Sequence, residues 1–162
     1  MNIRKANISD IPLIRSLAER IWAESYRDIL SAEQIRYMLQ DMYSTEALSM
    51  QMNEGANFVM PEDGATPFGF ASFSPDLHRT GILRIHKLYL LKEAQGKGAG
   101  KALLAYISNE ARNGNCSVIE LNVNRSNPAY YFYLKEGFKV TEEVNIPYRK
   151  FVLDDYVMQK EI

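Results

Sequence analysis

The chain carries at residues 88–104 the stretch LYLLKEAQGKGAGKALL, which decides the fold. An apolar strand runs into a glycine-rich turn, and the turn opens directly into an amphipathic helix. The first turn of a helix leaves backbone N–H groups free, and with the positive end of the helix dipole they attract phosphate. Glycines let a ligand approach the backbone closely, and Lys97 and Lys101 add positive charge. The stretch therefore predicts a phosphate-binding turn between a strand and a helix.

The glycine spacing excludes two common phosphate-binding loops. A Walker loop has four residues between its first glycine and its Gly-Lys pair, and Ser or Thr follows the lysine. Here only three residues separate Gly96 from Gly100, and Ala102 follows Lys101. The dinucleotide fingerprint GxGxxG also fails, because the glycines occupy alternate positions. The segment fits the pattern Q/R-x-x-G-x-G/A, with Gln95, Gly98 and Gly100 at its fixed positions.

A second motif, NRSNPAYYFYLKEGF, lies downstream at residues 124–138. Asn127 is a good helix N-cap, and Pro128 suits the first helical position, where its missing N–H is not needed. Gly137 is suited to end the helix in the left-handed conformation, and Phe138 then begins a strand.

Together the two motifs resemble those of the GNAT superfamily of N-acetyltransferases. Residues 95–100 match its pyrophosphate loop, and residues 124–138 are similar to its N-x-A-x-x-F-Y-x-K-x-G-F signature. The resemblance implies an α/β (α+β) fold. Its twisted, mixed and mostly antiparallel sheet has about seven strands, is splayed in the middle and is flanked by four or five helices. It also implies acetyl-CoA as co-substrate and no metal.

Length and composition agree with one domain over residues 1–162, since 46% hydrophobic and 24% charged residues are ordinary globular values. A net charge of −1 argues against nucleic acid as a partner. The single cysteine, Cys116, suits a reducing cytoplasm, and no apolar run is long enough to cross a membrane. His78 and His86 are too isolated to indicate a metal site. Both a monomer and a homodimer remain open.

Hydrophobic periodicity and capping residues predict the remaining elements. The predicted helices follow caps at Ser9-Asp10, at Ser31 (with Gln34 as a capping box), at Ser44 and at Asn127, with a further helix over residues 98–113. The predicted strands cover residues 2–6, 57–60, 68–73, 82–90, 117–123, 138–143 and 150–158, with a turn at residues 61–64.

The resemblance also implies which residues bind the coenzyme. The backbone at Leu88, Tyr89 and Leu90 is expected to pair with the pantetheine amides at a β-bulge, although the two leucines also suit a plain core. The pyrophosphate is expected on Gln95, Gly96, Lys97, Gly98, Ala99, Gly100 and Lys101. Asn127 and Lys135 are expected beside the pantetheine and the phosphates, with a solvated lysine as the alternative for Lys135.

Acetyl transfer to an amine requires a neutral nucleophile, a stabilised oxyanion and a proton for the leaving thiolate. The resemblance places the family's tyrosine at Tyr133, which is the expected general acid; the alternative is an aromatic core residue. His86 is the expected base, because many members carry Glu or His just before the bulge and an imidazole titrates near neutral pH. Strand alternation places it on one face with Arg84. A half-exposed sheet histidine is the alternative, and Glu24 is the second candidate base.

The acceptor is expected where the first two helices meet the sheet. Aromatic and acidic side chains suited to an amine cation occur there: Trp22, Glu24, Tyr26, Asp28 and Tyr37. Their spacing resembles the polyamine (spermidine/spermine-type) branch, and a solvated helix end is the alternative for any one of them. Asp154 and Asp155 either join this pocket or cap a turn.

Three functions remain open. The favoured one is acetylation of a small-molecule amine. The others are acetylation of a protein N-terminus or lysine, and a non-catalytic, acyl-CoA-binding regulatory module.

Overall fold

The computed structural model describes residues 1–162. Its α-helices are α1 (Ile11–Ser25), α2 (Ala32–Tyr43), α3 (Thr45–Asn53), α4 (Ala99–Asn113) and α5 (Ala129–Lys135). Its strands are β1 (Asn2–Lys5), β2 (Asn57–Asp63), β3 (Thr66–Pro67), β4 (Gly69–Pro75), β5 (Ile82–Leu90), β6 (Val118–Asn124), β7 (Lys139–Tyr148) and β8 (Phe151–Glu161).

The predicted fold class is confirmed. Hydrogen bonds join the strands into one eight-stranded sheet, where about seven strands were expected. Pairing of β5 with β6 is parallel, whereas β1 with β2, β2 with β4, β6 with β8 and β7 with β8 are antiparallel. The parallel ladder runs from Ile82↔Val118 to Ile85↔Leu121, although both strands continue beyond it.

The chain divides into two compact units. The first unit, Met1–Ser74 with Lys87–Tyr106, contains β1 to β4, the end of β5, α1 to α3 and the start of α4. The second unit, Pro75–His86 with Ile107–Ile162, contains the start of β5, the end of α4, α5 and strands β6 to β8. A single domain over residues 1–162 stays a prediction.

Helices α2 and α3 begin at their predicted serine caps. Ser31 and Ser44 each accept a backbone N–H of the first helical turn, at 3.1 Å. Asp10 occupies the N-cap position of α1, as predicted, but its side chain makes no capping hydrogen bond to that helix. Asn7 instead caps a short 3-10 turn that leads into α1. Its side chain accepts the Ser9 N–H, and the Asp10 carboxylate accepts the Asn7 N–H, each at 2.9 Å. Asp10 is held there by its ion pair with Arg4 at 2.9 Å.

The predicted turn at residues 61–64 is wrong, because β2 continues to Asp63. β1 pairs along this extension and sets Ile3 opposite Pro61. An ion pair of 2.9 Å between Arg4 and Glu62 joins the same two strands. The proline lacks an N–H, but its carbonyl accepts the Phe68 N–H at 3.0 Å, so the strand tolerates it.

Candidate active site

The glycine-rich turn at residues 95–98 is open and exposed. Gly96 and Gly98 have φ angles of +76° and +84°, a conformation that favours glycine. A Cβ atom added at either position would meet no atom within 4 Å, so the space beside the backbone is free for a ligand. The Gln95 side chain turns back and donates to the Leu90 carbonyl at 3.3 Å, which ties the turn to the end of β5.

Helix α4 begins immediately after this turn. Its first hydrogen bond runs from the Ala102 N–H to the Gly98 carbonyl at 3.0 Å. The N–H groups of Ala99, Gly100 and Lys101 therefore have no helical carbonyl to bind. The side chain of Lys101 is exposed, as is that of Lys97 in the turn. The free N–H groups and the two ammonium groups fit an anionic ligand.

The end of β5, at Leu88 to Leu90, lies tightly against β4. A Cβ atom at Gly69 would come within 2.4 Å of the Tyr89 carbonyl oxygen, so this close approach of backbones requires glycine. The next residue, Leu91, donates its N–H to the Phe68 carbonyl at 2.9 Å. The side chains of Leu88, Tyr89 and Leu90 are half-buried.

Two of the predicted acceptor residues belong to a buried aromatic cluster in the first unit. The ring centroids of Trp22 and Tyr26 are 4.6 Å apart, and that of Tyr89 is 5.9 Å from Trp22. The hydroxyl oxygens of Tyr26 and Tyr89 are 3.3 Å apart. Tyr43 and Phe70, which the sequence analysis did not single out, complete the cluster with centroids 5.9 Å apart.

The same cluster surrounds Lys87, which the sequence analysis also missed. Its Nζ lies 5.2 Å from the centre of the Tyr43 ring and 6.0 Å from that of Phe58. Burial lowers the pKa of Lys87 to about 8. Two polar side-chain atoms of the first unit, Trp22 Nε1 and Ser72 Oγ, are buried without a hydrogen-bond partner.

A sequence signal for Lys87 does exist. It alternates with Leu83, Ile85 and Tyr89 along β5, and the face that contains Leu83 and Ile85 is buried. A lysine in that register is expected to point into the protein. The same alternation places His86 on the opposite face, where it is exposed.

The other predicted acceptor residues are more exposed than Trp22 and Tyr26. Glu24 and Asp28 are exposed. Tyr37 is half-buried and lines a surface depression of about 360 Å³ with Gln40, Asp41 and Ser44. The role of all five residues in acceptor binding stays a prediction.

The second unit contains a sheet face rich in polar groups. On β6, Glu120 and Asn122 alternate with Ile119, Leu121 and Val123, all three of which are buried in the core. On β5, Arg84 shares the polar face; one of its Nη atoms donates to Glu120 and the other to Asn122 Oδ1 at 3.0 Å. We call this surface the polar face of the second unit: Arg84, His86, Glu120, Asn122, Asp155 and Gln159.

Glu120, although only 3% exposed, is surrounded by donors. It accepts hydrogen bonds from Arg79, Arg84 and the Gln159 amide. The Arg79 hydrogen bond contributes most to holding the pKa of Glu120 down at about 2. Asp76 in turn pairs with Arg79 at 2.8 Å, so the buried carboxylate belongs to a charge network.

Helix α5 carries the remaining predicted residues. It begins at Ala129, one residue later than predicted, and the Asn127 Oδ1 accepts the Ala129 N–H at 2.9 Å. Tyr133 is 7% exposed and its ring packs 5.6 Å from that of Phe138. Gly137 follows the helix with a φ of +94°, as predicted. Lys135 is exposed.

No group of three or more His, Cys, Asp or Glu side chains is arranged to hold a metal ion. None of the helices combines the length and the hydropathy that crossing a bilayer requires.

Known proteins similar to this chain agree with the predicted family. Residues 26–151 match the family model described as an acetyltransferase (GNAT) domain. A spermidine N(1)-acetyltransferase of Thermoplasma acidophilum is 28% identical over 99% of this chain and 97% of its own length. An uncharacterized N-acetyltransferase of Bacillus subtilis, YuaI, is 27% identical over 82% of this chain and 77% of its own. The crystal structure of the PaiA N-acetyltransferase of T. acidophilum with coenzyme A superposes with a TM-score of 0.85. It is 26% identical and covers 99% of this chain and 98% of that one.

Proposed function

This chain belongs to the GNAT family of acetyltransferases, and we propose that it moves an acetyl group from acetyl-CoA to a primary amine of a small molecule. The observation that carries the proposal is the open turn before α4, where glycines with positive φ stand beside free helical N–H groups. The coenzyme A in the similar PaiA structure supports the choice of donor.

The proposed coenzyme site uses the backbone more than side chains. Residues 95–101 would bind the pyrophosphate through N–H groups, with Lys97 and Lys101 as mobile counter-charges. The backbone at Leu88 to Leu90 would pair with the pantetheine amides, and its close packing on Gly69 supports a fixed strand end there. Asn127 and Lys135 are the proposed further contacts.

Acetyl-CoA supplies an activated thioester, and the protein supplies position and proton transfer. In the proposed reaction His86 takes the proton from the attacking ammonium, directly or through water, so that the nitrogen lone pair is free. The nitrogen then attacks the thioester carbonyl carbon and forms the new N–C bond. As the bond between carbonyl carbon and sulfur breaks, the Tyr133 hydroxyl donates a proton to the sulfur. The second proton of the nitrogen returns to the Tyr133 oxygen, directly or through water, which leaves a neutral amide and the free thiol. An ordinary tyrosine has a pKa of about 10, close to that of a thiol, which suits this transfer.

A polyamine-like acceptor is the favoured substrate class, because the spermidine N(1)-acetyltransferase resembles this chain over almost its whole length. The proposed acceptor residues are Trp22, Glu24, Tyr26, Asp28 and Tyr37. The cytoplasm is the proposed location, since the single Cys116 is a free, buried thiol.

The test is release of the coenzyme A thiol from acetyl-CoA with a panel of polyamines, monoamines and peptides. We expect thiol release with small amines and little release with peptides. Faster release with peptides than with small amines would indicate a protein acetyltransferase. Tight coenzyme binding with no release for any acceptor would indicate a regulatory module instead. Run across pH, the same assay examines the base: kcat/KM should rise through an imidazole ionisation, and His86→Ala should flatten that rise. If the rise instead follows the pKa of each acceptor and persists in the variant, Glu24 or a water molecule is the base.

A further inference from the structure

We propose that Asp155 on β8 binds a second, remote ammonium group of the acceptor and so selects amines with two or more positive charges. The inference rests on the proposed function and adds to it the residue that sets the acceptor class. The inference comes from the polar face of the second unit, where the carboxylate of Glu120 forms ion pairs with arginines and that of Asp155 does not.

The position of Asp155 follows from the strand register. β6 pairs with β8 so that Glu120 lies opposite Gln159 and Asn124 lies opposite Asp155. Because side chains alternate along a strand, Asp155 points to the same face as Glu120 and Asn122. The hydrogen bond from the Asn122 amide to Asp155, at 3.3 Å, agrees with that placement.

The Asp155 carboxylate forms no ion pair within 4 Å, in contrast to Glu120, and Arg125 and Arg84 act on it only from a longer distance. No Lys or Arg nitrogen lies within 4 Å of its carboxylate, and the Asn122 amide is its hydrogen-bond donor. The neighbouring Arg125 donates to the Asp155 backbone carbonyl at 3.1 Å and forms its ion pairs with Asp154 and Glu143. An ionised carboxylate accepts about four hydrogen bonds, so most of the capacity of Asp155 is unused.

The residues around Asp155 are oriented as a site. Arg84 donates to the Asn122 Oδ1, which turns the amide nitrogen of Asn122 toward Asp155. Arg84 itself forms its ion pair with Glu120 and acts on Asp155 only from a distance. Partial burial raises the pKa of Asp155, so the carboxylate is poorly solvated where it lies. A ligand ammonium would supply both the missing charge and the missing donors.

The distance between His86 and Asp155 on the sheet indicates which ammonium group of the acceptor Asp155 binds. His86, the proposed base, lies on β5, and β6 separates β5 from β8. Paired strands are about 4.8 Å apart, so β5 and β8 are about 10 Å apart where both pair with β6. His86 lies one residue beyond the β5–β6 ladder and Asp155 pairs with Asn124, so at least this distance separates the two residues. One amino group cannot contact both side chains. A diamine or triamine can, with the reacting amine at His86 and a second ammonium at Asp155.

The experiment compares Asp155→Asn with wild type on a monoamine, a diamine and spermidine. The variant keeps the shape and removes the charge, so KM for the diamine and spermidine should rise roughly 10- to 100-fold. The values of kcat, KM for the monoamine and KM for acetyl-CoA should stay within about two-fold. The matched control is Glu143→Gln, an exposed carboxylate of the neighbouring strand, which should change none of these constants.

Equal changes for the monoamine and the diamines, or no change for either, would overturn the role of Asp155. Calorimetry of spermidine binding in the presence of coenzyme A separates this failure from that of the proposed function. Binding that needs Asp155 without any thiol release would sustain the ammonium site and reject the transferase reaction. Thiol release with polyamines that is indifferent to Asp155→Asn would sustain the reaction and reject the site.

Discussion

The first unit buries a lysine without an acid, whereas the second unit buries a glutamate among arginines. Lys87 lies against aromatic rings, and desolvation alone brings the pKa of its ammonium down to about 8. Glu120 is equally buried, but hydrogen bonds from Arg79, Gln159 and Arg84 hold its pKa at about 2. A buried charge stabilises the fold only when its partners replace the lost water. The paired carboxylate therefore supports stability, and the unpaired lysine opposes it.

The same contrast extends to function. The first unit holds backbone N–H donors at the turn before α4 that no helical carbonyl accepts. The second unit contains both groups proposed for proton transfer, Tyr133 and His86. We therefore propose that the first unit binds phosphate and that the second contributes proton transfer, and substitutions in each unit test that proposal.

The largest expected effect is that of Tyr133→Phe in the second unit. It removes one hydroxyl and keeps the ring that packs on Phe138, so the fold should be retained. Loss of a general acid lowers turnover by about 10²–10⁴-fold. Steady-state kinetics should show that loss in kcat, with coenzyme A affinity unchanged by calorimetry. Wild-type turnover in this variant would mean that Tyr133 is a packing residue and not the general acid.

Glu120→Gln should produce the next largest effect, on stability. It leaves the cations of Arg79 and Arg84 without their buried counter-charge, and breaking such a pair costs roughly 3 kcal/mol. Urea denaturation at pH 7 measures the loss in the free energy of unfolding. The control is Glu143→Gln, which removes an exposed carboxylate paired with Arg125 and should lower the free energy of unfolding by less than about 0.5 kcal/mol.

The pH dependence of Glu120 has a definite sign. Its folded pKa, about 2, lies below the ordinary value of 4.5, so its contribution is complete above about pH 5. That contribution is lost as the pH falls toward 2. Acid titration of unfolding should therefore be less steep in Glu120→Gln than in wild type. Equal steepness would mean that the network does not stabilise the fold.

Gly98→Asp tests the first unit. The substitution places a carboxylate beside the free N–H groups, where phosphate is proposed, and we expect coenzyme A affinity to fall roughly 10- to 100-fold. The matched control is Gly64→Asp, because Gly64 also has a positive φ, of +61°, and open space around it. Calorimetry on both variants separates loss of the site from backbone strain. Wild-type coenzyme A affinity in Gly98→Asp would contradict the proposal that this turn binds the pyrophosphate.

The smallest effect is expected for Lys87→Met, and its sign is a gain. The shift in pKa from 10.5 to about 8 corresponds to at most about 3 kcal/mol of lost stability at neutral pH. The lost contact with the Tyr43 ring offsets about 1 kcal/mol of the gain. The net expectation is a rise of about 1–2 kcal/mol at pH 7, measured by urea denaturation.

The pH dependence of Lys87 distinguishes burial of charge from a packing change. Because its folded pKa lies below its unfolded pKa, the penalty is complete below pH 8 and is relieved as the pH rises toward 10.5. Wild-type stability should therefore increase between pH 8 and 9.5, and that of Lys87→Met should not. The same slope in both proteins would mean that Lys87 carries no charge penalty.

Local physical chemistry accounts for what the sequence alone determined. The glycine turn before α4, the serine caps of α2 and α3 and the positive φ of Gly137 depend on residues within a few positions of one another. Strand β5 was likewise predicted with its observed bounds, because its apolar alternation is a local pattern. These features, read with the second motif, were sufficient for the family and the fold class.

Tertiary structure decided the features that depend on partners distant in sequence. Pro61 lies in a strand because β1 pairs with it, and Asn7 caps the 3-10 turn because Arg4 holds Asp10. The burial of Lys87 depends on rings contributed by a helix and another strand, Tyr43 and Phe58. Composition and periodicity show how many charged residues the chain has, but not which of them form ion pairs. Only the packed sheet determined that the carboxylate of Glu120 forms ion pairs with two arginines, while that of Asp155, 35 residues later, forms none within 4 Å.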